Sequence, residues 1–519
     1  GYLACMETSH RDAGEVQELP EGWWGADVFW QLHSEEGVTR TLSTAARTRI
    51  EACHAYLLGR AAGGDTLYGI NTGFGDLATT RVDDLVGLQR NLLISHACGV
   101  GEPLPAEVVR AMLLLKVKAL SQGHSGVAVT TVQRLLDHWN AGVLPVVPSQ
   151  GSLGASGDLA PLAHLVLPLI GEGEVVMPDG RQLTSSDALR ELGWAPLELG
   201  PKEGLALING TQMMLGTGMV ALERITRLSD WADALGAWSL EAWNGLKAAM
   251  HPSIHRIRNQ AGAMITAHNV SSWLEGSERA AQPRAYVQDP YSFRCMPQVH
   301  GASRDVVEGV RAVFEAEMNA VTDNPLVFPD EDLIVSGGNF HGQPLALAMD
   351  RLALAVHEWA SISERRVFKM LSGQRGLPAF LASNPGLNSG YMIPQYTAAS
   401  LVSYSKQLCT PASADNADSS NGQEDHVSMG ANGALQMWRV LEHAEQVLAI
   451  EAMCAAQASD LRDSKVAMAP ALAQLQGEFR KAVPFLERDA VMAPLMAAAC
   501  AWLRGASPRD LAELRDPQF

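Results

Sequence analysis

PLALAMDRLALAVHEWASISERRVFKML, residues 344–371, sets the frame for the rest of the chain. Leu345, Met349, Leu352, Val356, Trp359 and Ile362 recur at steps of three and four, which puts them on one face of an α-helix, and Pro344 stands where a first-turn proline is tolerated. A helix of this length runs ~40 Å, far above the usual globular length. Two further stretches carry the same helical spacing. One opens at Ser303, read as an N-cap, and continues through Val306, Val310, Val313, Phe314, Met318 and Val321 until Asp323-Asn324-Pro325 stops it; the other spans roughly Ala431 to Leu461. The spacing predicts a mainly α-helical protein built on a long-helix bundle.

A shorter helix opens at Pro105, runs through Met112, Leu115 and Leu120, and closes at Gln122-Gly123. Strand signals are few: Val175-Val176-Met177 before the Asp179-Gly180 turn, and Leu333-Ile334-Val335 before Gly337-Gly338. No internal repeat, low-complexity linker or charge block divides the 519 residues. The chain therefore reads as one unit over 1–519, loop-rich to about residue 210 and carrying the long helices from about 211 onward.

Composition narrows the function. Thirty-nine basic residues against 57 acidic ones give a formal charge of −18, which argues against nucleic acid or an anionic membrane as partner. Seven scattered cysteines form no CxxC pair, so neither a disulfide framework nor a zinc ribbon is indicated, and a reduced, cytoplasmic setting is expected. The first thirty residues carry acids throughout and no continuous apolar run, and about eighteen uninterrupted apolar residues occur nowhere; neither export nor a membrane span is expected. Familiar catalytic templates are missing as well. There is no GxxxxGK[ST] loop, no complete GxGxxG and no HExxH; His251 and His255 have helical spacing, but Pro252 stands between them, and no metal is expected.

The unusual segments lie between the helices, where catalytic groups concentrate on a rigid scaffold. QGSLGASGDLAPLAHL, residues 150–165, packs glycines and serines into a turn that runs straight into an apolar helical pattern. A helix-capping turn alone would account for its glycines. Ser156, however, lies in G-A-S-G, which lacks the GxSxG spacing of a hydrolase elbow.

Here the residues carry a resemblance. Ala155-Ser156-Gly157 resembles the cyclising tripeptide of the aromatic amino acid ammonia-lyases, whose prosthetic group, 4-methylidene-imidazol-5-one, forms from the chain's own backbone. The likeness extends from about Tyr68 to about Leu461 through YGINTGFG, NLLISHACGVG, KEGLALINGTQ, VQDPYSFRCMPQVHG, TDNPLVF, GGNFHGQPLA, GLNSGYMIPQYTAAS and SSNGQEDHVSMG, in the family's order. It implies a self-formed electrophile, with no metal or dissociable cofactor, and a homotetramer whose active sites are shared between chains. Ring closure needs the Gly157 nitrogen to attack the Ala155 carbonyl, hence a sharply bent backbone with small side chains.

By the same resemblance Tyr68 is the base that takes the β-proton, a role for which its hydroxyl needs a lowered pKa. Tyr291 sits near the prosthetic group and assists the amine's proton traffic, and Arg294 clamps the substrate carboxylate. Asn209 holds substrate and ring oxygen. Asp158 helps the cyclisation, Phe340 packs against the finished ring, and Gln288 and Gln423 complete the hydrogen bonding. Ser95-His96 resembles the pairing in histidine-specific members, and Glu424 agrees, because a carboxylate can hold an imidazole whereas an apolar ring would leave it unpaired. Met392 lines the ring pocket. The expected reaction is elimination of ammonia from L-histidine to give trans-urocanate.

Tyr391 departs from the pattern, which has phenylalanine there, and the Trp23-Trp24 and Trp30 aromatics near the N-terminus read equally as core or interface. One alternative is an ammonia-lyase or aminomutase for tyrosine, phenylalanine or another electron-rich aromatic amino acid. Another is an inert helical assembly that keeps the fold, but Ser156, Tyr68 and Arg294 are all intact.

Overall fold

Among the described residues four helices exceed 20 residues: Gln212–Ala242, Met296–Met318, Gln343–Met370 and Gly430–Asp460. The computed structural model describes residues 15–63, 67, 69–73 and 82–511. Contacts divide the chain into two units, each drawn from separated stretches. The first takes residues 1–220, 313–346 and 413–432; the second takes 221–312, 347–412 and 433–519.

The 343–370 helix starts one residue before the expected proline, and all six residues of its expected face are buried. The 430–460 helix likewise agrees to within a residue. The Met296–Met318 helix corrects the reading at both ends. Ser303 is not its N-cap: it lies seven residues inside, buried, its hydroxyl donating to the Ala355 carbonyl at 2.7 Å. The buried seam is Met296, His300, Ser303, Val307, Val310, Phe314 and Met318, and its polar members hide it from a hydropathy reading. The helix also stops at Met318 rather than Val321, because the next residue, Asn319, spends its side chain on the N-terminal segment. Its Oδ1 accepts the Trp24 N–H and its Nδ2 donates to the Trp24 carbonyl, both at 2.8 Å.

The Gln212–Ala242 helix was not anticipated. No residue in it is exposed, so it has no polar face to set a period, and Gly216 and Gly236 weaken its propensity. Pro105 precedes the first turn of the Ala106–Leu120 helix as its N-cap.

In the first unit the expected strands are part of small sheets. Leu144–Pro145, Glu174–Val176 and Gln182–Thr184 form one, Leu326–Phe328 pairs with Leu333–Val335, and Glu15–Glu18 runs parallel to Val38–Thr41. The N-terminal aromatics divide. Trp24 is core, its indole N–H on the Pro20 carbonyl and Lys118 over its ring; Trp30 donates to the Met219 carbonyl, whereas Trp23 is exposed.

The second unit is held by a buried polar cluster. Arg366 and Glu451 are fully buried, with Arg366 Nη2 2.8 Å from Glu451 Oε2, and Ser239 and Ser363 also donate to that carboxylate. Nearby, burial would raise the Asp233 carboxyl, but Arg304 and His300 hold it down at about 2. Six cysteines, Cys53, Cys98, Cys295, Cys409, Cys454 and Cys500, are free thiols. Among the described residues no helix is long and apolar enough to cross a membrane, and no cluster of three or more His, Cys, Asp or Glu side chains could hold a metal.

Candidate active site

Nine of the expected site residues that the structure describes lie in the first unit, the tripeptide among them. Strand Pro148–Gln150 pairs antiparallel with Val100–Pro103, Val100 opposite Gln150, so the segment after His96 runs beside the segment that enters the tripeptide. The Gly99 N–H donates to His164 Nε2 at 3.0 Å, tying that segment to the Leu159–Val166 helix just beyond. Between strand and helix the chain doubles back sharply. Gly154 and Gly157 have φ of +67° and +71°, Gly154 and Ala155 bridge to Gly157, and Gly157 in turn bridges to Gly210. A side chain at Gly157 would collide with the Gly210 backbone, and one at Gly154 with the Ser428 hydroxyl. Only glycine suits either place.

Asp158 opens the 159–166 helix, yet its carboxylate does not cap it. The Asp158 N–H donates to the Gly210 carbonyl at 2.7 Å, while its carboxyl accepts the Met214 N–H at 2.9 Å and the Ser152 hydroxyl at 3.2 Å. Complete burial pushes this carboxyl up to about 7 against those hydrogen bonds. Asn209 ends the Glu203–Ile208 helix, its N–H on the Leu205 carbonyl. Its Nδ2 donates to the Asn324 carbonyl at 3.2 Å, which fixes the amide and leaves a buried Oδ1 with no partner among the described residues.

Glu424 comes to the tripeptide from a tight loop. Ser156 Oγ donates to its Oε1 at 2.9 Å, and Ser419 Oγ to its Oε2 at 3.0 Å. The backbones of Ser419 and Glu424 pair, with Asn421 left-handed between them at φ 52°. Met429 N–H on the Leu153 carbonyl closes the far side. Gln423 is exposed on the same loop. His96 is the last residue of the Leu85–His96 helix, its Nδ1 3.0 Å from Ser95 Oγ; burial lowers its pKa, and the Glu424 charge acts on it in the opposite sense. Half-buried Phe340 precedes His341, whose Nε2 lies 3.0 Å from the His426 carbonyl of the Glu424 loop.

Gln288, Tyr291, Arg294 and Met392 belong to the second unit. The turn bearing three of them is firmly held: Asp289 accepts the Leu246 N–H at 2.6 Å and pairs with Arg375 at 3.0 Å, and Phe293 stacks on Trp243. Tyr291 is 70% exposed, Arg294 lies 4.7 Å over its ring, and Gln288 is exposed. Met392 starts the Met392–Leu408 helix. The preceding Tyr391, which departs from the family pattern, is buried with no hydrogen-bond partner for its hydroxyl among the described residues, and burial raises its pKa. Tyr68 lies outside the described residues. Its neighbour Gly69 is fixed, because the carbonyl accepts from Gln89 Nε2, whose Oε1 accepts the Leu205 N–H.

Sequence reasoning missed several supporting groups, among them Gln89, Ser152, Ser428 and Lys116. Lys116 had a signal: a charge in the run LLLKVKAL, on a helix otherwise apolar at that level.

The long helices and the pinched glycine-rich turn define a class that comparison identifies. Residues 27–481 match the model of the family described as aromatic amino acid lyase, and the chain belongs to that family. The protein is therefore a carbon–nitrogen lyase. It is 51% identical over 432 residues to the histidine ammonia-lyase of Symbiobacterium thermophilum, which covers 82% of this chain and 85% of the relative. Its structure resembles the histidine ammonia-lyase of Trypanosoma cruzi, with a TM-score of 0.87 and 41% identity over 95% of this chain and 93% of that one. It also resembles the tyrosine aminomutase of Streptomyces globisporus, with a TM-score of 0.89 and 34% identity over 95% and 97%.

Proposed function

We infer that this protein eliminates ammonia from L-histidine to give trans-urocanate, using an electrophile made from Ala155-Ser156-Gly157. The observation that carries the reading is the Ser156–Glu424 hydrogen bond of 2.9 Å, with His96 close enough to feel the same carboxylate. It brings together the residue that would become the electrophilic carbon and the acid that would select an imidazole. Identity of about half to histidine ammonia-lyases supports the same substrate.

The residues fit a 4-methylidene-imidazol-5-one. The turn is pinched so that only glycine is tolerated at 154 and 157, and Asn209, next in sequence to the Gly210 that packs on Gly157, has a buried Oδ1 with no partner among the described residues. That group supplies an electron sink which ordinary side chains lack. The chain's own residues do the rest. Arg294 binds the substrate carboxylate through its planar fork, and Glu424 with His96 orients the imidazole. Tyr68 accepts the β-proton and Tyr291 manages the proton of the departing amine. Asn209, Gln288 and Gln423 donate or accept at the polar end, and Phe340 and Met392 exclude water from the rings.

We further infer a homotetramer in which neighbouring copies complete each site, acting in the reducing cytoplasm. Exposed Leu347, Leu354 and Phe368, at spacings of seven and fourteen on the 343–370 helix, and the free thiols support this. An ultraviolet assay tests the activity. Urocanate should accumulate from L-histidine, and Ser156→Ala should abolish the fast reaction in a folded protein. Coumarate, cinnamate or a β-amino acid as the main product from a panel of aromatic amino acids would replace this reading with a tyrosine or phenylalanine enzyme.

A further inference from the structure

Lys116 is the one lysine whose ammonium reaches the wall of the tripeptide among the described residues. It sits in mid-helix within Ala106–Leu120, 1% exposed, and its Nζ donates to the Asn209 carbonyl oxygen at 2.6 Å. Burying an ammonium is costly where a methionine or leucine would pack as well. The surroundings only partly offset that cost. Asp323 is already engaged by Lys202 at 2.5 Å, burial raises the Asp158 carboxyl to about 7, and Lys116 is pulled down to about 7 by desolvation.

The Asn209 carbonyl belongs to the peptide that joins Asn209 to Gly210. Gly210 has φ +141°, a conformation open to glycine alone, and its own carbonyl takes the Asp158 N–H at 2.7 Å while its backbone packs against Gly157. Holding the 209–210 peptide plane from one side therefore fixes the surface that presses Gly157 toward Ala155 from the other. We propose that Lys116 is a positioning residue for maturation of the electrophile, locking the Asn209–Gly210 peptide so that the Gly157 nitrogen is held against the Ala155 carbonyl. The inference rests on the functional reading above.

The step that it assists balances within the chain. The Gly157 nitrogen bonds to the Ala155 carbonyl carbon and passes its proton to the former carbonyl oxygen, which leaves with the Ser156 amide proton as the first water, so that a C=N bond forms between the Ala155 carbon and the Ser156 nitrogen. The Ser156 Cα–H and its side-chain hydroxyl leave as the second, forming the Cα=Cβ bond. Lys116 neither gains nor loses an atom.

The test reads mass rather than turnover. Trypsin releases residues 135–181 as one peptide, since no Lys or Arg lies between Arg134 and Arg181, and maturation removes about 36 Da from it. In Lys116→Met, isolated as the folded fraction, loss of the two waters should slow about tenfold or more, the scale of a lost charge-assisted hydrogen bond. Lys202→Met is the comparison, because it breaks an equally buried contact, with Asp323, without touching Asn209; it should lower the melting temperature yet mature fully. Water loss in Lys116→Met at the wild-type rate, or equal retardation in Lys202→Met, overturns the proposal. Should the methionine variant aggregate, Lys116→Gln takes its place, its shorter side chain leaving the Asn209 carbonyl out of reach, with the same outcomes. A wild-type peptide at full mass overturns the functional reading itself, a result distinct from both.

Discussion

Glu424 accepts hydrogen bonds from Ser156 and Ser419, which hold its carboxylate on two sides, and its charge acts on His96. Glu424→Gln keeps the size and one acceptor but removes that charge. With histidine, kcat/KM is expected to fall by about ten- to a hundredfold, the value of a charge-assisted hydrogen bond, and with phenylalanine by much less. Equal losses on both substrates would remove the carboxylate from substrate choice. Asp158 gives the pH counterpart. Folding raises its pKa from the ordinary carboxylate range to about 7, so the folded state keeps a proton that the unfolded chain releases. Its contribution to stability is complete below pH ~4 and is lost as pH climbs through 7, with a slope of ~1.4 kcal/mol per unit in between. Denaturant titrations of Asp158→Asn from pH 5 to 7 should show that slope removed. An unchanged profile would mean that the folded carboxyl is already ionised.

At the scale of elements, the buried pair of Arg366 and Glu451 joins the 343–370 and 430–460 helices within the second unit, and Arg366 also reaches the His300 ring at 3.2 Å. Arg366→Met leaves a carboxylate in the core with two serine donors and no cation. The expected loss is about 3–5 kcal/mol in chemical denaturation, and a loss below ~1 kcal/mol would show that Ser239 and Ser363 suffice. The same helices explain what the sequence could convey. The 343–370 helix was legible because one face is apolar and the other carries charge, so burial wrote a period into the residues. The Gln212–Ala242 helix is enclosed on every side and has no such period. Ser303 was misread because a serine is an N-cap by propensity, and only the Ala355 carbonyl across the helix interface makes it a core donor. In the site, Ala155-Ser156-Gly157 and Glu424 were legible from motifs, whereas Lys116 acts on a carbonyl 93 residues away and has no local signature beyond its charge.

At the scale of the whole molecule, the charge of −18 opposes self-association, so any assembly has to be carried by apolar contact. The 343–370 helix offers a surface of that kind. Its inner face is filled by Leu345, Met349, Leu352, Val356 and Trp359, while Leu347, Leu354 and Phe368 remain 51%, 48% and 47% exposed on a stripe of seven-residue period. Such a stripe keeps its register only against another helix, and a copy of the same chain supplies one. Exposed Ile393, Tyr396 and Tyr404 on the Met392–Leu408 helix add a second apolar surface in the same unit. A charge placed in the stripe should therefore separate the copies of the proposed tetramer without unfolding them: Leu354→Lys is expected to shift the mass by light scattering toward smaller species, with helical circular dichroism unchanged. In the proposed assembly, ammonia release should fall together with the mass. A fully active monomer, or an unaltered tetramer, would place the assembly surface elsewhere.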